Sequence, residues 1–563
     1  MDFTKLAAGV DDESGVPQTG AMDRILASHF QTAPGANYAG SCSSQPEGCK
    51  GVYQGQLQPY AIYVPTKPPP ATGYGLTLLM HALDSNYNLF EGSRNQSQFG
   101  QRGTGSIVIT PEARGPDGSY TSYAEADVFE AWADVAAHYH LNPEISDVTG
   151  YSMGAIGTFK LAEQFPDLFA RAFSTSGADF NGGLASLRNV PVLMWSTAAD
   201  EEVLASEYLP TANTLLHLGY RYELDVFAPG EHNSFAVLDQ YAPAAAFLGD
   251  ATVDRDPADV TFAVNPTHDY PALGLLTDHA YWLSGLTPSG GSGSTGTINA
   301  FSHGFGVANA PASGLQTGTG TLTDTNVLPF VAYDRSFQTW GATPAARTAD
   351  QLDITSTNVA TVTIDAARAH VDCAAKLNVV SNVPLKINLA GCGGTHTIPV
   401  RPGCPGATGG LNGVSLGSAR LGLTRARVRR AFRRSSNRGR RYMDFFCLTP
   451  NGIRAGYPAP KLLRALSPAE RRRVQGRVVL VLTANPHYAL RGVRPGARLE
   501  AVARRLRIGA RFQIGLNTWY LAPNGPSHGV LKVRHGVIEE VGVANRQLTS
   551  HRRAARRFLA SFS

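Results

Sequence analysis

The sequence lacks any long apolar run. Stretches such as Gly75–Met80 and Val478–Leu482 fall far short of the roughly 20 residues that a membrane-spanning helix needs. A chain that crosses a membrane as a helix is thereby excluded. Cysteine is scarce, and Cys42, Cys49, Cys373, Cys392, Cys404 and Cys447 include no Cys-x-x-Cys pair, which argues against a zinc site. Charged residues make up only 17% of the chain while 43% is hydrophobic, enough apolar material for several cores and too much for a mostly disordered chain. No leader is expected either, because Met1-Asp2-Phe3-Thr4-Lys5 has no apolar core and no cleavage site. The even cysteine count, with Cys42 and Cys49 in a Ser/Gly/Pro-rich loop, favours a disulfide and an oxidising compartment, with buried free thiols as the alternative. Two readings stay open at this point: an export signal removed with upstream sequence, or a cytosolic protein.

What is present is a charge split. The net charge of +5 over 563 residues conceals 17 basic and 39 acidic residues in 1–400, against 32 basic and 5 acidic in 401–563. So sharp a change marks modules with different jobs. The length predicts roughly three to five domains. Residues 1–58 read as a loop-rich N-terminal segment. From 59 to 254, strand-like runs (Tyr60–Val64, Leu76–Met80, Ser106–Thr110, Asp147–Thr149, Val190–Trp195, Glu223–Phe227) alternate with helical stretches (Val128 to Tyr139, Ala155–Gln164, Glu207–Leu218, Phe235–Phe247). That alternation predicts an α/β domain, a mostly parallel sheet with helices on both faces. Residues 255–404 are Thr/Gly/Asn-rich with short alternating runs, and read as a β-sandwich-like accessory domain. His268-Asp269 and Asp278-His279 have no ligand spacing and read as solvated loop residues.

Residues 405–563 carry a diverged repeat and read as a basic α+β domain. Gly422, Val428 and Phe432 match Gly496, Val502 and Leu506; Pro450-Asn451-Gly452 matches Pro523-Asn524-Gly525; Gly476 matches Gly536. Each copy reads as an Arg-rich helix followed by a small β-meander, and the first copy carries extra residues around Pro460–Arg473.

The chemistry concentrates at Gly150-Tyr151-Ser152-Met153-Gly154, a Gly-x-Ser-x-Gly between a strand and a helix. Such a turn exposes the serine, and the helix N–H groups face a developing oxyanion. A serine hydroxyl needs a base, and the base needs an orienting carboxylate. In this setting they follow the serine in the order acid, then histidine. Asp200 lies past the strand Val190–Trp195, with Glu201 and Glu202 as adjacent competitors, and could also cap a helix. His232 lies in the turn after Glu223–Phe227. His81 and His217 are weaker candidates. Oxyanion donors are expected from the backbone N–H groups of Met153 and of Leu83 (or Ala82), in the turn after Leu76–Met80. Tyr87, Tyr120, Tyr151 and Trp195 flank these motifs and could line a substrate subsite; packing accounts for each equally well. No cofactor and no metal is expected.

Together Tyr60–Val64, the His81 turn with Asn86-Tyr87-Asn88, Arg114-Gly115-Pro116-Asp117-Gly118, the Gly150–Gly154 elbow, Asp200 and His232 resemble secreted bacterial α/β-hydrolases of the prolyl oligopeptidase-like peptidase and esterase family. The resemblance covers about residues 20–250; residues 255–400 resemble the β-rich extension behind such domains. It implies an α/β-hydrolase fold, a Ser-His-Asp mechanism on an ester or peptide substrate, and an extracellular location, with Met1 then lying inside a longer ancestral chain. The Arg-rich module has no activity implied by the resemblance. An alternative of another class is a surface-binding protein whose residues 405–563 hold an anionic polymer or membrane surface through Arg425, Arg427, Arg429, Arg430, Arg433, Arg434, Arg471, Arg472 and Arg473. No nucleic-acid motif accompanies these arginines, so sequence-specific nucleic-acid binding is not expected.

Overall fold

A computed structural model describes residues 4, 7–8, 17–38, 51–290, 293–398, 411, 413–432, 437–446, 452–485, 488–515, 517–534 and 536–562. The chain divides into two compact units, residues 1–399 and 400–563. Among the described residues, no helix is long and apolar enough to cross a membrane.

The first unit is built on a ten-stranded mixed sheet. In chain order its first part runs β1 (Gly20–Ala27), β2 (Leu57–Val64), β3 (Tyr74–Met80), α1 (Arg94–Gly100), β4 (Ser106–Pro111), α2 (Tyr123–His138), β5 (Leu141–Tyr151), α3 (Met153–Gln164), β6 (Arg171–Thr175) and β7 (Val192–Thr197). It continues through α4 (Ala205–Leu218), β8 (Tyr222–Phe227), α5 (Ser234–Leu238) and α6 (Ala242–Leu248). The strand order is β1-β2-β4-β3-β5-β6-β7-β8, and β4 through β8 pair in parallel. Alternate residues of each central strand enter two different cores. Leu76, Leu78 and Met80 of β3 join the cluster that includes Val128, Phe159 and Leu215, whereas Leu79 joins the one that includes Phe99, Trp195 and Tyr241. Burial on both faces explains why these strands read as continuous apolar runs.

Two expectations change here. Residues 1–58 are more than loop, because Gly20–Ala27 forms an edge strand along β2 with Met22 and Leu26 buried. Its other positions are half-buried or exposed, as an edge permits. The expected break at 254/255 does not bound the large sheet either. The strands Gln316–Thr323 and Phe330–Gln338 form a hairpin whose second strand pairs antiparallel with β8. Leu322 and Val331 enter the same core as Trp195, so burial holds the hairpin there. The remaining strands of residues 259–398 form two four-stranded sheets. Both supply one apolar cluster, Phe262, Ile298 and Leu352 from one sheet and Leu283, Val362 and Ile387 from the other. A disulfide joins Cys373 and Cys392. Cys42, Cys49, Cys404 and Cys447 lie outside the described residues.

The second unit carries an eight-stranded antiparallel sheet. Its first four strands (Asn437–Arg440, Met443–Phe446, Ile453–Gly456, Leu480–Thr483) and its last four (Phe512–Ile514, Asn517–Asn524, Ser527–Arg534, Val537–Asn545) meet where Leu480–Thr483 pairs with Val537–Asn545. Each half begins with a helix, Arg425–Ala431 or Leu499–Leu506. Gly422 N–H donates to Val478 O as Gly496 N–H does to Ile538 O, both at 2.8 Å, and Val478 N–H donates to Leu423 O as Ile538 N–H does to Ala497 O. Two short helices, Pro460–Leu463 and Pro468–Val474, stand between the strands of the first half where the second half has a tight hairpin.

Candidate active site

The Gly150–Gly154 pentapeptide crosses from β5 into α3 with Ser152 at φ +53° and ψ −115°. A non-glycine residue is rarely held there, and strain of this kind is characteristic of functional turns. The flanking glycines are there for space. A Cβ on Gly154 would lie 2.1 Å from Met80 O, and one on Gly150 would lie 2.3 Å from Gly154 O. Without side chains, the start of α3 packs directly against the end of β3. The turn after β3 is thereby brought beside the serine.

His232 and Asp200 arrive from the ends of neighbouring parallel strands. β7 ends at Thr197 and β8 at Phe227, and the two strands pair directly. Asp200 Oδ1 lies 2.8 Å from His232 Nδ1, and His232 Nε2 lies 2.9 Å from Ser152 Oγ. Burial would raise the Asp200 pKa, but the hydrogen bonds from His232 and from the Val203 and Glu202 N–H groups outweigh it and hold the carboxyl below its usual value. An ionised carboxylate only accepts, so Nδ1–H donates to it and Nε2 is left to accept from the serine. For His232, burial acts to lower the pKa; the Asp200 hydrogen bond and the Asp200, Glu202 and Glu201 charges oppose it and raise the pKa above 6.5.

The histidine is fixed on its other side too. Its backbone N–H donates to Glu201 Oε2 at 3.2 Å, and the Tyr151 hydroxyl donates to its carbonyl. Glu201 and Glu202 do not take the place of Asp200 at Nδ1. Asp200 Oδ1 also accepts from the N–H groups of Glu202 (3.0 Å) and Val203 (2.8 Å). That is the capping contact expected of it, although the helix itself begins only at Ala205.

Met153 occupies the first position of α3, and Leu83 lies in the turn after β3. Among the described residues neither backbone N–H donates to a backbone carbonyl. The turn is pinned by Asp84, at φ +57°, whose N–H donates to Pro116 O at 3.0 Å. Leu83, Ala82 and Ser152 line one cavity of about 630 Å³, within the range of small-molecule sites.

The four aromatic candidates separate. Tyr151 lines the cavity. Tyr120 does not: it is fully buried, with its hydroxyl donating to His81 O at 3.0 Å. Trp195 does not either, being buried among Phe173, Phe227 and Tyr241. Tyr87 is half-buried and does not line the cavity. For Trp195, on a central strand buried on both faces, packing against Phe173, Phe227 and Tyr241 takes the place of a subsite. His81 is also buried, with its ring held by the Glu112 carbonyl at 3.0 Å, and His217 is on the exposed face of α4, bonded to Asn213 O.

Several cavity residues carried no sequence signal. Asn95 comes from α1, Asp239 and Tyr241 from the link between α5 and α6, and Asn326 from the turn of the 316–338 hairpin. The expected single helix Phe235–Phe247 is broken at Asp239, which takes φ +41° and accepts from Arg94 N–H and Asn95 N–H, both at 2.9 Å. Only the long-range contact reveals the break.

No family model matches the chain, and no curated protein matches it. Among solved structures, a thermostable esterase is 20% identical with a TM-score of 0.32, over 37% of this chain and 62% of its own. A ferulic acid esterase is 14% identical with a TM-score of 0.32, over 41% and 98%. A fluorophosphonate-binding serine hydrolase of Staphylococcus aureus is 15% identical with a TM-score of 0.31, over 41% and 99%. The chain thus spans about three-fifths of the thermostable esterase. Similarity at this level establishes neither a shared fold nor a shared activity.

Proposed function

We propose that this protein is a serine hydrolase of the α/β-hydrolase type that cleaves a carboxylic ester or peptide bond. The supporting observation is the continuous hydrogen-bonded chain Ser152–His232–Asp200, at 2.9 and 2.8 Å, opening on the 630 Å³ cavity. Ser152 Oγ attacks the substrate carbonyl carbon while His232 Nε2 takes its proton. Asp200 stabilises the imidazolium and holds its orientation. The oxyanion accepts from the N–H groups of Met153 and Leu83, each such donor contributing about 3–4 kcal/mol. His232 then gives its proton to the leaving oxygen or nitrogen as the C–O or C–N bond breaks. Water, deprotonated by His232, cleaves the acyl-serine and restores Ser152. None of these steps calls for a cofactor. The ester reading is the easier one, since an alkoxide leaving group needs less protonation than an amine. Labelling by a fluorophosphonate probe tests the assignment: Ser152 is the expected site, and labelling elsewhere would sink it. Parallel turnover of an activated ester and a prolyl peptide amide separates esterase from peptidase.

The same reading places the protein outside the cell, in keeping with the Cys373–Cys392 disulfide. It treats the two sheets of 259–398 as a sandwich-like accessory layer and residues 400–563 as two diverged copies. A second reading concerns the basic unit. Arg425 and Arg429 are committed to Asp444, at 2.6 and 2.7 Å, and Arg433 and Arg434 lie outside the described residues. Arg472, Arg473 and Arg477 are exposed and line an open hollow, which supports binding of an anionic polymer or surface there. Salt-sensitive retention of the full chain on a polyanion column, lost in the triple Ala variant of these arginines, is the expected result.

A further inference from the structure

The histidine of the Ser152–His232–Asp200 chain sits on a loop that the backbone does not hold. His232 lies between β8 and the five-residue α5 and is 7% exposed. Among the described residues, neither its N–H nor its carbonyl has a backbone partner. Buried backbone groups are seldom left unpaired, and here side chains take the place of a ladder. The N–H donates to Glu201 Oε2 at 3.2 Å. The carbonyl accepts from the Tyr151 hydroxyl and, at the longer distance of 3.4 Å, from Ser176 Oγ. These three residues come from the ends of three other strands of the sheet: Tyr151 ends β5, Ser176 follows β6 and Glu201 follows β7. The turn of the nucleophile is tied to the same place, since Ser152 N–H donates to Thr175 O at 2.9 Å. Ser176 is fully buried at φ +50°, a strained conformation that persists only where the surroundings enforce it. The Tyr151 ring stands edge-on to the imidazole, with 71° between the planes and 5.9 Å between the centroids. Burial pushes the Tyr151 phenol above its usual pKa, so it keeps its proton and goes on donating. Glu201 lines the cavity with Asp84, Glu202 and Asp239 and with no Lys or Arg, so no cation of the cavity wall competes for it.

We propose that Tyr151 and Glu201 are positioning residues: by gripping the carbonyl and the N–H of His232, they hold its imidazole in register between Ser152 and Asp200. This rests on the serine-hydrolase reading of the same site. It gives Tyr151 a part in the rate rather than a place in a substrate subsite. The base must stay within hydrogen-bond reach of the serine and of the leaving group, and an error of about 1 Å can cost about 100-fold.

Tyr151→Phe keeps the ring and removes the donor. It is expected to lower kcat about 10- to 100-fold with KM within about twofold, because the substrate meets the same cavity. The loss should be larger for an alkyl ester than for an activated one, since a misaimed imidazolium protonates a poor leaving group badly. Ser176→Ala, which removes the longer bond to the same carbonyl, should cost less. On the other side, Glu201→Ala should lose about tenfold in kcat. Glu201→Gln should recover most of it at a pH above the His232 pKa, because an amide oxygen accepts the same hydrogen bond. A readout free of turnover is the low-field Nδ1–H proton resonance of His232, assigned by its loss in His232→Gln. It should broaden through faster exchange in Tyr151→Phe and in Glu201→Ala, while thermal unfolding stays near that of the wild type. If Tyr151→Phe does not fold, the Glu201 pair and Ser176→Ala decide. Unchanged kcat in Tyr151→Phe, a raised KM at unchanged kcat, equal losses in Glu201→Ala and Glu201→Gln, or a resonance as sharp as the wild type's overturns the proposal. A wild-type protein that hydrolyses no ester or amide and is not labelled at Ser152 defeats the hydrolase reading, and the resonance alone then decides the grip on His232.

Discussion

The two units handle charge in mirror fashion. In the acidic unit, basic residues are scarce and two of them each hold a pair of carboxylates. Arg335 pairs with both Glu223 and Asp225 at 2.9 Å, and Arg114 with both Asp127 and Glu130. In the basic unit carboxylates are scarce, and Asp444 holds Arg425, Arg429 and the Tyr457 hydroxyl, while Glu540 holds Arg454 and Lys532. In both, one such shared minority charge is buried: Asp444 is 1% exposed and Arg114 6%. Burying a charge is tolerable only when it is paired, and these two buried minority charges each have more than one partner of the opposite sign. The abundant sign is left for surfaces and for the cleft. Asp444 and Arg114 therefore belong to the framework of their units, whatever sign the rest of the surface presents.

Four substitutions would break or sharpen this contrast. The largest effect is expected from Ser152→Ala, which should lower kcat by about 10⁴-fold or more without altering the unfolding of either unit. Substantial residual turnover of an activated ester would show that the catalytic chemistry lies elsewhere in the chain. Next is Gly154→Ala. Its Cβ cannot fit 2.1 Å from Met80 O, so the elbow must shift, and a loss of about 100-fold in kcat/KM is expected; unchanged kinetics would mean that the close approach of α3 to β3 is not needed. In the basic unit, Asp444→Asn should destabilise by about 1–3 kcal/mol, because it strips the charge from two ion pairs and a buried Tyr457 contact. Denaturant unfolding should show this in the transition of residues 400–563 alone, with ester turnover unchanged. The smallest effect is Glu202→Gln. His232 must be neutral to act as base, so kcat/KM falls as pH drops through its raised pKa. Removing the Glu202 charge removes one cause of the raising, and the acidic limb of the pH–rate profile should move to lower pH. An unmoved limb would mean that solvent screens Glu202 from the imidazole.

The sequence was informative wherever the signal was local. The elbow is five consecutive residues, and Asp200 and His232 each follow a strand-like run, the two strands lying side by side in parallel. Their order along the chain sufficed to name them as one group. The central parallel strands were equally readable, because burial on both faces leaves unbroken apolar runs. The edge strand Gly20–Ala27 was not, since only Met22 and Leu26 are buried. Nor was the hairpin of Gln316–Thr323 and Phe330–Gln338, whose Thr- and Gly-rich strands suit either sheet and whose pairing with β8 spans about 110 residues.

By itself, then, the sequence determined the charge division of the chain and the strand–helix alternation of residues 59–254, and it named Ser152, Asp200 and His232 as candidates, which hydrogen bonds join in the structure. Only the tertiary structure decided which side chains line the cleft. It turned Tyr120 and Trp195 inward and brought Asn95, Asp239 and Asn326 together from three separate segments. The reason is geometric. A motif on one turn sets its own neighbours through φ and ψ, whereas a cavity wall is assembled from loops that meet only after the sheet has closed over its two cores, and such meetings leave no periodicity in any one stretch of sequence.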